Sequence, residues 1–493
     1  MKKFLLTLLL CLLFLPAGLA EEPGRLYPAM DDATGLWGYI DGNAQWVIAP
    51  QFSWAGEWRG AYAAAMPGDQ NPEEYDHTGI IDRQGNWVLE PRYTIQGFFN
   101  YDPIGDLDGG LYLVWQWQEH EDDERGSSLD GFFDVPSGFF SGLIYDSILS
   151  GRDDDSSVYY ELDRLIPVDK GGRIAYVDRH TGEEAFALPE NVNADEYVYE
   201  NFRYGYATAV RYAGKGDADS LVFNEEGKIL DLGGLEFAEG GHGLRGKVTA
   251  GGILRVYDPE KELYGYWDLN AGDFLIPPQF AGAEDFSASG YACVMLEDGT
   301  FGHIDQTGAV LARGFSDWYE FFGEYAQADG KLIDAAGNTV LQLPEGIGVW
   351  QQESDWEDQK RLVSPEGLLG LYRYEDGFWG EGVMNLSGEW VLEMQDRQCV
   401  EADVIYAGYE RFFPEGLQSV TRLTEVEGHV WEDSVWKYAW MNTAGEFITD
   451  FIYDNAGAFL GALAPFERDG LTGYIDQSGR EVISWHTEIH HNR

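Results

Sequence analysis

The stretch Trp37-Gly38-Tyr39-Ile40-Asp41-Gly42-Asn43-Ala44-Gln45-Trp46-Val47-Ile48-Ala49-Pro50-Gln51-Phe52 decides the fold, because its first part returns along the chain. Gly38-Tyr39-Ile40-Asp41 reappears as Gly79-Ile80-Ile81-Asp82, Gly302-His303-Ile304-Asp305 and Gly473-Tyr474-Ile475-Asp476. Anchored on the acidic or amide residue, eleven copies stand out: Asp41, Asp82, Asp134, Asp178, Asn224, Asp268, Asp305, Asp334, Asn385, Asn442 and Asp476, spaced 29 to 57 residues apart. A period of this size means small units that bury their apolar faces against one another. The expected fold is all-β: about eleven tandem hairpin or three-stranded repeats in an elongated, twisted array, with one or two β-propellers as the alternative.

Each copy carries its own turn chemistry. The residue before the anchor is apolar in all eleven, and Gly stands three before it in seven. After the anchor come two or three variable residues and then Gly, in every copy but the first, which has Ala44 there. Asp or Asn bonds its own backbone further on, and Gly supplies the positive φ that closes the turn. A strand follows, as in Trp46-Val47-Ile48 and Trp87-Val88-Leu89, and a Pro often ends it, as at Pro50, Pro91 and Pro278. A second segment then brings a Gly and an alternating run, as in Gly290-Tyr291-Ala292-Cys293-Val294 and again near Phe413-Pro414-Glu415-Gly416-Leu417. Three short strands per unit are legible.

With these residues in place the chain resembles the bacterial WG-repeat (KWG-type) family, over roughly residues 26–484. The strongest copies are those at Asp41, Asp82, Asp268, Asp305 and Asp476; the Trp-Gly pair itself survives before an anchor only at Trp37-Gly38. The resemblance implies a repeat scaffold and brings no catalytic motif with it. The organisation read from the sequence is a leader at 1–20, two WG-like repeats at 21–110, degenerate repeats with acidic loops at 111–260, WG-like repeats at 261–484 and a tail at 485–493.

Lys2-Lys3, an apolar run from Phe4 to Leu15 and small residues up to Ala20 read as a secretory signal peptide cut after Ala20, too short to span a bilayer. A secreted or cell-surface location follows, with no membrane span in the mature chain. The net charge of −54 disfavours nucleic acid and anionic lipid as partners. It also keeps a long array soluble. Cys293 and Cys399 stand in different repeats, and Cys293 reads as a small core residue rather than half of a disulfide.

Several clusters invite a site. The acidic runs Glu119-His120-Glu121-Asp122-Asp123-Glu124 and Asp153-Asp154-Asp155 lack the spacing of a calcium loop and read as solvated loops. His486, His490 and His491 do not make a zinc motif. No metal, no cofactor and no catalytic residue is therefore assigned. Trp46, Trp87 and Trp390, two residues after the turn, are the candidate ligand-facing aromatics, with Phe140, Phe274 and Phe447 at the same place. Exposed, they would form shelves for sugar rings or cations; packed between repeats, they would be core. The expected function is a secreted, non-catalytic scaffold binding protein or a cell-envelope glycan at the bacterial surface. The alternatives are a polysaccharide hydrolase using paired carboxylates, or an acidic cation-binding surface protein.

Overall fold

The computed structural model describes residues 24–72, 77–96, 110–120, 123–149, 164–193, 197–199, 202–211, 220–237, 246–350, 361–364, 367–375, 378–393, 404–407, 417–424, 435–442, 444–457 and 459–486. The leader, Asp153–Asp155, Cys399 and the tail beyond His486 lie outside them. Among the described residues there is no α-helix; strands and turns make up the regular structure.

The expected all-β fold of tandem short-stranded units forms, one unit per anchor, numbered here 1 (Asp41) to 11 (Asp476). In unit 7 the strands Gly282–Ala283, Tyr291–Met295, Phe301–Asp305 and Val310–Phe315 make an antiparallel meander, and the anchor Asp305 ends the third. Among the described residues, six units are complete four-stranded sheets of this kind. The innermost strand is as short as Gly282–Ala283, Phe321–Phe322 or Asn455–Ala456, which is why only three strands per unit show in the sequence. Units 1 to 3 share one nine-stranded sheet. There Trp46–Arg59 and Trp87–Gln96 run on from the outermost strand of one unit into the innermost strand of the next.

A second feature recurs at the start of the outermost strand. Ile40 pairs with Trp46 and Tyr39 with Ile48, so Val47 is an extra residue. The same shift isolates Val88, Leu311, Val340, Val391 and Val482. Such a bulge bends the strand and raises its twist. Repeated in these six units, it bends their outermost strands at the same place.

Apolar clusters lie between consecutive units rather than inside them, because a single four-stranded sheet has no second layer of its own. Tyr39, Ile48 and Phe52 of unit 1 meet Ala55, Trp58, Ala63 and Ile81 of unit 2. Tyr266, Ile276 and Phe280 of unit 6 meet Phe286, Val294 and Ile304 of unit 7. Each fully buried side chain of this size contributes roughly 1.5–3 kcal/mol. The aromatic two before the anchor also carries a polar tip into the next unit: Tyr39 donates to the Gly56 carbonyl (2.8 Å), Tyr266 to Glu284 (2.7 Å) and Trp440 to Gly457 (3.0 Å).

The two ends of the array meet. Leu463, Tyr474 and Trp485 of unit 11 pack against Tyr27, Ala29, Met30 and Ile40 of unit 1. The same kind of cluster that joins neighbours thus joins last to first, and the array closes on itself in the manner of a propeller. An open array would leave one apolar face of each terminal unit in water, and closure covers both.

Candidate functional site

The repeated turn is the best-defined polar structure in the chain. In units 1, 2, 5, 7, 8, 9, 10 and 11 the anchor side chain accepts the backbone N–H groups two and four residues ahead; Asp305 takes those of Thr307 (2.9 Å) and Ala309 (3.1 Å). These bonds favour the ionised form. Asp305 is held below the ordinary carboxylate range, first by the Thr307 hydroxyl and against a raising effect of burial. Asp41 is lowered first by the Gln45 N–H. The anchors are thus engaged in their own turns, as neutral Asn is at 224, 385 and 442.

Two glycines show what the repeat spacing protects. A Cβ on Gly38 would lie 2.4 Å from the Ile48 carbonyl oxygen, so Gly lets the outermost strand approach the third. Gly337 closes its turn at φ +76, and a Cβ there would lie 2.4 Å from the Ala312 methyl of the preceding unit. The turn glycine is therefore also a contact between units. Ala44, in the first copy, takes the left-handed conformation at φ 58 despite its side chain.

Asp134 departs from the pattern. It is fully buried and reaches across to unit 4, paired with Arg179 and 2.8 Å from His180 Nδ1, while Ser137 bonds its other side. Arg179 also donates to the Gly110 carbonyl (2.9 Å). Burial pushes the Asp134 carboxyl up, but Ser137, His180 and Arg179 together bring it below its usual value. This is a charged lock between units 3 and 4, and sequence spacing alone gives no sign of it.

The histidine that breaks the apolar pattern, His303, is also buried between units. Its Nε2–H donates to the Ala335 carbonyl (2.8 Å), which leaves Nδ1 to accept from the Tyr319 hydroxyl (2.8 Å). Burial lowers its pKa. Cys293, opposite His303 on the neighbouring strand, is a free, buried thiol pushed up to about 12 by burial. A thiol so held is a core group and no nucleophile.

The candidate aromatics divide. Trp46 is 39% exposed, and Phe447 41%. Trp87 stacks edge-on against Phe52 at 5.7 Å beside the unit 1–2 core, and Trp390 packs against the unit 8–9 core. Phe274 and Phe140 likewise border inter-unit cores. The six do not make one continuous exposed row. Among the described residues, Trp46, Val47, Val88 and Leu311 on outermost strands, with Ile229 and Phe447 at isolated bridges in the same place, are six of the ten large apolar side chains open to solvent. Sequence reasoning misses four of these; the bulge residues Val47, Val88 and Leu311 are hidden because alternation assigns them no special place.

At the seam, Gly42, Asn43, Ala462, Asp476, Gln477 and Arg480 line an open groove of about 630 Å³ between units 1 and 11. Among the described residues no group of three or more His, Cys, Asp or Glu side chains converges as a metal ion would require.

Fold and turns together define a closed, all-β repeat protein whose recurring element is an Asx-type turn between two strands of one unit. Residues 37–66, 79–114, 264–299 and 438–471 match the family described as WG containing repeat. Each segment begins in the third strand of one unit and runs into the second strand of the next, or just beyond it. The sequence repeat therefore spans an inter-unit interface. No curated protein matches the chain. Among solved structures it is similar to a eukaryotic initiation factor (10% identity, 77% of this chain, 96% of that one, TM-score 0.35). It is also similar to the designed protein Ika8 (13%, 69%, 96%, 0.25) and to BamB from Moraxella catarrhalis (14%, 60%, 86%, 0.22). Scores this low carry no comparison of site or activity.

Proposed function

We propose that this chain is a secreted, non-catalytic repeat scaffold that binds a protein or a glycan at the bacterial cell surface. The observation that supports this reading is the recurrence of exposed apolar side chains on outermost strands, Trp46, Val47 and Val88 in adjacent units above all, on a strongly acidic chain. Exposed apolar groups with a polar rim are a usual composition of a recognition surface. The leader supplies the route outward, and the bonded anchors supply rigidity.

The test is binding of residues 21–493 to isolated cell-envelope glycan and to intact bacterial surfaces, with a Trp46→Ser/Val47→Ser/Val88→Ser variant in parallel. The variant is expected to melt as the parent does and to lose most of its binding. Equal binding by both would remove the outer strands from the function, and no binding by the parent would end the scaffold reading. Export is checked by the mass of the secreted chain, which should begin at Glu21.

A further inference from the structure

The turn of unit 1 is the copy whose glycine is displaced. In ten copies the residue after the anchor carries a side chain, as at Arg83, Arg179, Gln306 and Gln477; in unit 1 it is Gly42, and Ala44 takes the usual glycine position. Where the side chain at this position is long, it reaches back. Arg83 donates to the Gly24 carbonyl of unit 1 (3.2 Å) and Arg179 to the Gly110 carbonyl of unit 3 (2.9 Å). Each carbonyl lies just before the second strand of the preceding unit. Unit 1 follows unit 11 around the ring, and there the same place is Gly461–Ala462, just before Leu463. Gly42 has no side chain to reach it, and a Cβ added there would lie 2.8 Å from the Ala462 Cβ. The seam groove of about 630 Å³ opens at this point.

Both walls of the groove are held. The Tyr27 hydroxyl of unit 1 accepts the Ala462 N–H (3.0 Å) and donates to the Leu460 carbonyl (2.5 Å), which ties the unit 11 turn to unit 1. Across from it, Asp476 Oδ1 accepts the N–H groups of Ser478 (3.0 Å) and Arg480 (3.2 Å). Asp476 Oδ2 takes the Arg480 guanidinium by Nε (3.0 Å) and Nη2 (2.9 Å), which fixes the planar fork and turns Nη1 away from the carboxylate. The contents select a ligand. The charges of Asp476 and Arg480 cancel, on a chain whose net charge is −54. An anion is repelled by the chain as a whole, and a cation finds the lining carboxylate already paired. A neutral polar molecule suits both donors and acceptors: Arg480 and the exposed Asn43 amide donate, while the Asn43 side-chain oxygen and the Gly461–Ala462 backbone accept. Neighbouring sugar hydroxyls each donate and accept, and a pair of them matches a planar fork. The volume lies in the range of small-ligand sites.

We propose that the seam groove binds a neutral saccharide, with Arg480 and Asn43 hydrogen-bonding its hydroxyls and Gly42 leaving room for the sugar ring. This rests on the glycan-binding reading above and gives it a place. The first and last units build the site together, so it exists only in the closed ring, and a bound sugar stabilises the seam.

Calorimetric titration of residues 21–493 with neutral tetrasaccharides of β-1,4-linked glucose and of N-acetylglucosamine tests this, with polygalacturonate as the anionic comparison. At least one neutral sugar is expected to bind saturably with a Kd below about 1 mM, and polygalacturonate more weakly. The bound sugar should slow amide exchange over residues 41–46 and 459–464. An Arg480→Gln/Asn43→Ala variant should bind about tenfold more weakly or worse, with protection of Phe301–Asp305 unchanged as the sign that it folds. Should that variant fail to fold, Arg480→Lys alone decides, since it keeps the charge and loses the fork: undiminished binding overturns the site. No binding of either neutral sugar, equal binding by parent and variant, or preference for polygalacturonate would also overturn it. Saccharide binding that survives in this variant and falls in Trp46→Ser/Val47→Ser/Val88→Ser would reject the seam site and leave the scaffold reading standing. Binding to intact bacterial surfaces with no binding to either tetrasaccharide would do the same.

Discussion

The Tyr474 hydroxyl donates to the Pro28 carbonyl at 3.0 Å across 446 residues of sequence, joining the last unit to the first. Its counterparts Tyr39 and Tyr266 reach into the next unit in chain order, and Tyr474 makes the equivalent reach around the ring. Replacing Tyr474 by Phe keeps the ring that packs on Tyr27 at 5.6 Å and removes this bond. The expected cost is about 1–2 kcal/mol, seen as a lower urea midpoint. An unchanged midpoint would mean that this hydrogen bond contributes nothing to the stability of the fold.

Gly337 and Gly272 both close an anchor turn with positive φ, but only Gly337 abuts the neighbouring unit; a methyl group added at Gly272 would meet nothing within 4 Å. Gly272→Ala should therefore show the backbone cost alone, about 1–2 kcal/mol. Gly337→Ala should cost more, since the Ala312 methyl must move. Equal melting points for the two variants would separate the turn glycine from inter-unit packing.

Asp305→Asn places in unit 7 the residue that units 5, 9 and 10 already use. Its turn accepts the same N–H groups, so stability at pH 7 should change little. The acid limb should change. The folded pKa of Asp305 is depressed, so its contribution is present above the unfolded pKa near 4 and is lost as pH falls through the folded value. Thermal melts between pH 5 and 2 should show a shallower loss in the variant. A parallel decline in both would show that the turn bonds do not favour the ionised form.

The pair Asp134–Arg179 is buried on both sides, at 0% and 3% exposure. Arg179→Met leaves the buried Asp134 carboxyl group without its counter-charge, at an expected cost of about 3–5 kcal/mol. Asp134→Asn with Arg179→Met should recover part of that loss, because no buried carboxyl group is left without its partner. Chemical denaturation of the two variants gives the comparison, and a double variant no better than the single one would show that the lock works through packing.

Legibility follows sequence distance. The turn around Asp305 is readable because its donor groups lie two and four residues away, and the count of units follows from the anchors. Val47 and Leu311 carry no mark of a bulge, since a single extra residue in a strand looks like ordinary alternation. Trp87 and Trp46 occupy the same place in the repeat, yet one borders a core and the other faces solvent. Their difference depends on what each neighbouring unit presents.

By itself, then, the sequence determined what is local: an all-β array, its eleven turns, and the acid or amide that closes each one, because those interactions lie within five residues. Only the tertiary structure decided the ring, the buried Asp134–Arg179 pair and the solvent face of the outermost strands. Each depends on surfaces brought together over tens to hundreds of residues, and the apolar faces of units 1 and 11 leave water only when they find each other.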